Sequence, residues 1–477
     1  MGLMRTASPP LQPPDDDRAQ PSCCVILAAG ERAAEDRWLP AAQQGRPWPL
    51  HRVLGLSLAE RTIATARTAG VERFVVVLGP RPDEVRALYE RIAARRRCRI
   101  EFVVAEEWRQ GTGAMLAVAR AQVPASPFLL LRGDHLITPG LLERLLAAPA
   151  APGELRLAVD RDRALLPDPE RARRVALAGE DVTRMGPDIR WWTAAEAGAM
   201  LCPRDLFDAV DSASAEGAHS LVDGIRRLAE QGRVRAASVT GEPWADVATP
   251  SGLRVARRRL LGSLARGRSD GFVTAHVTQR LSLGLTSRLA DRDVSPDHVT
   301  VASFFAALVG AGFLSAGEYY FSVVGALLVL AAAVADGVDY ALARLTHQLT
   351  ARDAWLDTVL DRYADMAVVL AVTVSEASLV SGGGLRIWLG GSLAMTGFLF
   401  ASYVTKEYAL RHGREYPNDV LNRLRRRDLR LFGIGCGALL GVAFEATVLL
   451  GLVAHLCAAG MLLRAWRRQG PFGYRAA

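Results

Sequence analysis

A Rossmann-like α/β domain followed by an all-α domain of six membrane-crossing helices is the fold that this sequence predicts. Three observations carry that prediction. Up to about residue 262 charge is dense, and short apolar runs alternate with helical patterns, the order of a layered α/β sheet. Beyond about residue 298, apolar runs of helix-spanning length recur. Inside that apolar part, Asp336, Asp339, Asp357 and Asp361 are spaced by three and by four residues, so each pair shares one helix face.

The 477 residues suffice for two or three domains, and the 50% hydrophobic fraction averages two unlike halves. Residues 1–21 are rich in Pro, Asp and Gln and lack an apolar core, which predicts a disordered lead-in rather than a signal peptide. Residues 22–262 form the soluble domain. Val25-Ile26-Leu27-Ala28-Ala29-Gly30 reads as a buried strand ending in a phosphate-approaching loop at Gly30. Strands at Phe74–Leu78, Ile100–Val104, Phe128–Leu131 and Leu155–Val159, interleaved with helical patterns, predict a mostly parallel sheet. Residues 263–294 are a juxtamembrane link, within which 270–290 reads as an amphipathic helix lying on the membrane surface.

Residues 295–477 hold six apolar segments: 299–316, 319–335, 356–379, 387–410, 430–444 and 446–465. Arginines flank alternate connections: Arg288 and Arg292, then Arg344 and Arg352, then Arg423, Arg425, Arg426 and Arg427, and finally Arg464, Arg467 and Arg468. The other connections carry almost no positive charge. The bias predicts a multi-pass protein of the cell membrane with both termini and the soluble domain cytoplasmic. It also puts the aspartates at the cytoplasmic ends of the second and third helices.

Net charge is +8, and Lys406 is the only lysine. The arginines cluster beside apolar segments without interleaved aromatics, which points to anionic membrane lipid and away from nucleic acid. Six cysteines show no metal-binding spacing and read as reduced thiols. A homodimer is compatible with this reading.

Carboxylates at membrane depth are costly and mark a site. Two facing pairs form a cage of hard oxygen ligands, suited to Mg²⁺ or Mn²⁺ and a phosphate-bearing substrate. The competing reading is four solvated or capping aspartates at helix ends; the apolar flanks and the recurrence of the spacing disfavour it. The stretch Asp336-Gly337-Val338-Asp339-Tyr340-Ala341-Leu342-Ala343-Arg344, followed by Asp357 and Asp361, resembles the CDP-alcohol phosphatidyltransferase signature, D-x2-D-G-x2-A-R-x8-G-x3-D-x3-D. Tyr340 and Asp353 stand where that family has glycine, and a tyrosine there is expected to crowd the nucleotide pocket. Ser295-Pro296-Asp297-His298-Val299-Thr300 is similar to the same family's lead into its first helix. The resemblance implies that Asp336, Asp339, Asp357 and Asp361 hold metal and that Asp361 is the base deprotonating the attacking hydroxyl. It implies further that Gly337, Ala343 and Arg344 meet the nucleotide. Lys406, Arg427 and Arg430 are candidates for binding a phosphorylated acceptor, with positive-inside anchoring as the rival role.

In the soluble domain, Leu27-Ala28-Ala29-Gly30, Gln110-Gly111-Thr112-Gly113, Gly133-Asp134-His135 and Trp244-Ala245-Asp246 together resemble the sugar-phosphate nucleotidyltransferase family. That likeness implies metal at Asp134 and Asp246 and nucleotide contacts at Gly30, Gly111 and Gly113. Glu31, Arg32 and Trp48 replace residues of that family's phosphate loop, Trp48 standing for its lysine. The order of the two domains is similar to that of the bifunctional inositol-1-phosphate cytidylyltransferase/di-myo-inositol-phosphate-phosphate synthase family. It implies CTP and inositol phosphate as substrates, a CDP-activated alcohol as intermediate, and CMP release in transfer to a phosphorylated alcohol acceptor. Two alternatives are a phospholipid synthase using CDP-diacylglycerol and a catalytically inactive, membrane-anchored nucleotide-binding protein.

Overall fold

The computed structural model describes residues 21, 23–28, 47–123, 127–149, 151–163, 166, 172–248, 250–266, 279–292, 294–348, 351–380, 384–413 and 416–469. The chain divides into two compact units, residues 1–260 and 261–477. The expected lead-in at 1–20, most of the loop that begins at Gly30, and residues 270–278 of the expected surface helix lie outside the described residues.

The first unit begins with β1 (Cys24–Leu27), then a short hairpin of β2 (Arg52–Val53) and β3 (Leu56–Ser57). It continues through α1 (Leu58–Thr68), β4 (Arg73–Leu78), α2 (Pro82–Arg96), β5 (Arg99–Val104), α3 (Thr112–Ala117) and β6 (Phe128–Arg132). Next come β7 (His135–Leu136), α4 (Pro139–Ala147), β8 (Leu155–Asp160), β9 (Arg174–Ala178), β10 (Asp181–Gly186) and β11 (Ala194–Cys202). The unit closes with α5 (Leu206–Ala215), α6 (Leu221–Glu230), β12 (Val234–Ser238), β13 (Ala245–Asp246) and α7 (Pro250–Arg266).

Nine strands form one sheet in the order β5-β4-β1-β6-β11-β8-β12-β10-β9. The four at one side, β5, β4, β1 and β6, are parallel, and their continuous apolar runs suit strands covered on both faces. β11 then pairs antiparallel to both β6 and β8, and β10 runs antiparallel to β9 and β12. The mostly parallel sheet expected from the sequence is therefore corrected to a mixed one. Apolar side chains fill both faces. Ile63, Tyr89 and Leu141 of α1, α2 and α4 cover one side; Leu116, Phe207 and Ile225 of α3, α5 and α6 cover the other. Helix starts are set locally: Ser57 caps α1 by accepting from Glu60 N at 3.1 Å, and Ser220 and Asp223 form a capping box on α6.

The second unit is helical: α8 (Gln279–Ala290), α9 (Pro296–Leu314), α10 (Tyr319–Leu345), α11 (Ala351–Leu379), α12 (Gly384–His412), the short α13 (Val420–Leu424), α14 (Arg427–Leu439) and α15 (Ala443–Gln469). Small residues let helices approach closely. A Cβ on Gly325 of α10 would lie 2.6 Å from the Gly310 carbonyl of α9, and one on Gly451 of α15 would lie 2.4 Å from Ala394 Cα of α12. Phe305, Leu327, Leu389, Leu449 and Leu456 are exposed, so the outer surface of these helices is apolar.

Helices at Pro296–Leu314, Tyr319–Leu345, Gly384–His412 and Ala443–Arg467 are long and apolar enough to cross a membrane, which marks a membrane protein. The other two expected crossings differ for identifiable reasons. α11 carries Asp357, Asp361, Arg362 and Asp365 in its first half. α14 has 13 residues, about 20 Å at 1.5 Å per residue and short of the ~30 Å hydrocarbon core.

Candidate active sites

Each unit gathers its own set of acidic and basic side chains. In the helical unit, the three- and four-residue spacings turn Asp336 and Asp339 of α10, and Asp357 and Asp361 of α11, toward a shared region. Asp336 and Asp357 lie close enough to Asp339 and Asp361 for their charges to act on both. Thr300 of α9 donates its hydroxyl to Asp339 Oδ2 at 2.6 Å.

Arg427, at the start of α14, enters this acidic set. Its Nη1 pairs with Asp336 and, at 2.8 Å, with Asp361 Oδ1, while its Nε donates to Asp365 Oδ1 at 2.8 Å. Asp365 also accepts from Arg362 Nη1 at 2.8 Å and pairs with Arg430 Nη2 at 3.3 Å. Four carboxylates are the right donor chemistry for a hard divalent cation. Among the described residues, however, no three of them bring an oxygen each within 4.8 Å of one another. The guanidinium of Arg427 joins Asp336 to Asp361 instead.

Beside the acids lies a cavity of about 520 Å³ whose lining includes Thr358, Asp361, Arg362, Lys406 and Arg425. It brings Lys406, exposed on α12, together with Asp361, the expected base. Arg430 is elsewhere: 2% exposed, it donates to the Phe398 carbonyl at 3.2 Å and its guanidinium lies 4.5 Å from the Phe398 ring centroid. That is a packing position rather than a pocket wall. Gly337 is buried inside α10 and Ala343 is half-buried. Arg344 lies over the Tyr340 ring at 5.9 Å, so the tyrosine that replaces glycine stacks with the arginine expected to meet the nucleotide. The side chain of Asp353 lies outside the described residues.

In the α/β unit the ends of the strands bring Asp134, His135 and Asp246 together, with one ligand atom of each within 4.8 Å of the others. The two-residue ladder of β7 and β13 sets Asp246 opposite His135. His135 is buried, its Nδ1 2.7 Å from Asp134 Oδ1, its ring nearly parallel to that of Trp244 at 6.1 Å. The Trp244 indole in turn donates to Asp160 Oδ2 at 2.8 Å. Gly198 makes room for His135: its φ is +84°, and a Cβ there would lie 2.4 Å from the imidazole. Arg132 grips Asp134 with two bonds, at 3.1 and 2.7 Å, and reaches Glu196 at 3.5 Å; Arg173 stands 3.8 Å from Glu196. Burial works to raise the Asp134 carboxyl, but the Arg132 guanidinium and His135 hold it well below the usual carboxylate range. Burial likewise opposes the charge on Glu196, and Arg132 and Arg173 pull that carboxyl down. Two carboxylates and an imidazole fit a divalent cation in both chemistry and spacing.

Two expectations meet a different explanation here. Gly111 and Gly113 pack beneath the 219–220 backbone; a Cβ on either would lie within 2.7 Å of the His219 carbonyl oxygen. Trp48 is buried and packs on His51 at 4.5 Å. Gly30, Glu31 and Arg32 lie outside the described residues. Sequence reasoning assigned no role to Asp365, Arg362, Arg425, Thr300, Arg132 or His135. Asp365 carried a signal in continuing the four-residue step from Asp357 and Asp361, and Thr300 and His135 stood inside motifs quoted for other reasons.

Residues 24–271 match the MobA-like NTP transferase domain family, and residues 293–460 match the CDP-alcohol phosphatidyltransferase family. The chain is similar to a bifunctional IPC transferase and DIPP synthase of Rubrobacter xylanophilus, 35% identical over 444 residues covering 92% of this chain and 95% of the relative. A protein of the same description from Thermococcus kodakarensis is 28% identical over 86% of this chain and 89% of its own length. An archaetidylinositol phosphate synthase of Methanothermobacter thermautotrophicus is 28% identical over 38% of this chain and 88% of its own length.

Proposed function

Because the chain belongs to the bifunctional IPC transferase and DIPP synthase family, we propose that its α/β unit makes CDP-inositol and its helical unit consumes it. In the α/β unit the phosphate of inositol phosphate attacks the α-phosphorus of CTP and pyrophosphate leaves. The convergence of Asp134, His135 and Asp246 supports a cation site there. Arg132 and Arg173 supply positive charge that the domain, lacking lysine, draws from arginine alone.

In the helical unit a hydroxyl oxygen of a second inositol phosphate attacks the phosphorus bonded to the inositol of CDP-inositol. The P–O bond to the cytidine phosphate breaks, CMP departs, and the hydroxyl proton passes to Asp361. One observation carries this reading: Asp361 shares a cavity with Arg362, Lys406 and Arg425, so a base sits beside three cations suited to an acceptor's phosphate. Asp336, Asp339, Asp357 and Asp361 offer the donor chemistry for a Mg²⁺ ion that would neutralise charge on the diphosphate, provided that Arg427 no longer bridges Asp336 and Asp361. Arg344 binds the diphosphate of the nucleotide as an always-charged fork. Six crossings with both termini cytoplasmic complete the proposal. The arginine bias of alternate connections supports that topology, and α8's exposed Leu281 and Leu285 beside its buried Ser282 and Thr286 support a helix lying on the membrane surface.

The test is CMP release by the purified full chain with Mg²⁺ and inositol phosphate, using CDP-inositol or CDP-diacylglycerol as donor. Release from CDP-inositol is expected. Release only from CDP-diacylglycerol would assign a phospholipid synthase, and release from neither would leave an inactive anchored protein. Pyrophosphate release from CTP and inositol phosphate tests the α/β unit separately.

A further inference from the structure

Asp365 has no part in the chemistry above, yet it is 5% exposed and holds three arginines. Around it on α11, Ala364, Val368 and Val369 are buried, so the carboxylate sits against an apolar wall. A buried acid needs a partner, and one guanidinium would satisfy it. Three is a surplus, and the surplus has a direction. Arg430 is fixed by the Phe398 carbonyl and ring and serves as the anchor. Arg362 extends from Asp365 to the wall of the cavity that contains Asp361. Arg427 spends its Nε on Asp365 and aims Nη1 at Asp336 and Asp361.

We propose that Asp365 is a positioning residue for the transfer reaction. Its two oxygens fix Arg362 at the cavity wall and Arg427 against Asp336 and Asp361, registering the acceptor's phosphate to the acid that takes its proton. The proposal rests on the acceptor-pocket reading given above. It assigns Asp365 no contact with substrate.

The test is CMP release by the full chain at saturating CDP-inositol with the acceptor varied, for wild type, Asp365→Asn, Asp365→Glu, Arg362→Gln and the Asp365→Asn/Arg362→Gln pair. The isosteric Asp365→Asn is expected to raise the acceptor KM on the order of tenfold, more than it lowers kcat, with Asp365→Glu recovering part of the loss. In the Arg362→Gln background the same change is expected to add less than it costs in wild type, because the bond to Arg362 is already gone and only the hold on Arg427 remains to be lost. An acceptor KM unchanged in Asp365→Asn overturns the proposal. So does a full additive loss in the pair, or loss of the thermal unfolding transition in both Asp365 variants, either of which makes Asp365 scaffold. Absence of CMP release by wild type from CDP-inositol defeats the functional reading instead.

Discussion

Thr300 reaches from α9 to α10 and donates its hydroxyl to Asp339 at 2.6 Å. Asp339 is 6% exposed, so this bond orients a carboxylate that has little water to orient it. A charge-assisted bond of this kind is worth about 1.5–3 kcal/mol. The helix carrying none of the four aspartates thereby sets the aim of one of them.

Thr300→Val keeps the side chain's shape and removes the donor. CMP release from CDP-inositol is expected to fall about tenfold to a hundredfold, each factor of ten corresponding to about 1.4 kcal/mol. Thr300→Ser is expected to retain most of the activity. Equal activity in all three proteins would separate the hydroxyl from the chemistry.

Asp361→Asn removes the proposed base and leaves three carboxylates. The rate of CMP release is expected to drop by about 10² to 10⁴, the usual contribution of a general base. Mn²⁺ binding followed by electron paramagnetic resonance is expected to weaken but persist. Unchanged turnover would take Asp361 out of the proposed role.

Lys406→Met tests the cation from α12. The acceptor KM is expected to rise on the order of tenfold while the KM for CDP-inositol stays put, since the lost interaction is with one phosphate. A change confined to CDP-inositol would move Lys406 to the donor side.

Asp134→Asn and Asp246→Asn separate the two halves. Each is expected to stop pyrophosphate release from CTP and inositol phosphate, and neither is expected to change CMP release when CDP-inositol is supplied. Loss of both activities together would show that the units do not act independently.

Glu196 gives a pH prediction with a definite sign. Its carboxyl is held below the usual range by Arg132 and Arg173 against the effect of burial. The stabilisation is therefore present above the unfolded value of about 4.3 and is lost as pH falls through the lower folded value. The thermal midpoint of the α/β unit, followed in the full chain, is expected to fall on acidification below about pH 4. Glu196→Gln is expected to lower the midpoint at neutral pH, by about 3 kcal/mol of stability for half of a broken buried pair, and to flatten the acid limb. An unaltered acid limb would refute the assignment.

Much of the site was legible because helical spacing is a local property. The steps from Asp336 to Asp339 and from Asp357 to Asp361 need only the helix period to be read. Asp365 continued that series, but its partners Arg427 and Arg430 lie on another helix, and no local rule announces a pairing across that separation. His135 stood beside Asp134 in plain view; that it joins the acid rather than the core depends on the ladder with β13. The parallel strands showed as continuous apolar runs, whereas β9 and β10, reading Arg-Val-Ala-Leu-Ala and Asp-Val-Thr-Arg-Met-Gly, owe their places to distant partners. Trp48, which stands where the resembled family has lysine, is packed on His51, a contact that its place in the motif does not announce.

The junction of Asp365 with Arg362, Arg427 and Arg430 also constrains how related sequences can diverge. A lone buried charge is far more damaging than the absence of the whole pair. Drift at these positions should thus proceed by coordinated exchange, acid and base being surrendered in the same lineage or kept together. A homologue that has lost Asp365 while retaining all three arginines would need a new anion nearby, and locating it would show how that lineage rewired the membrane site.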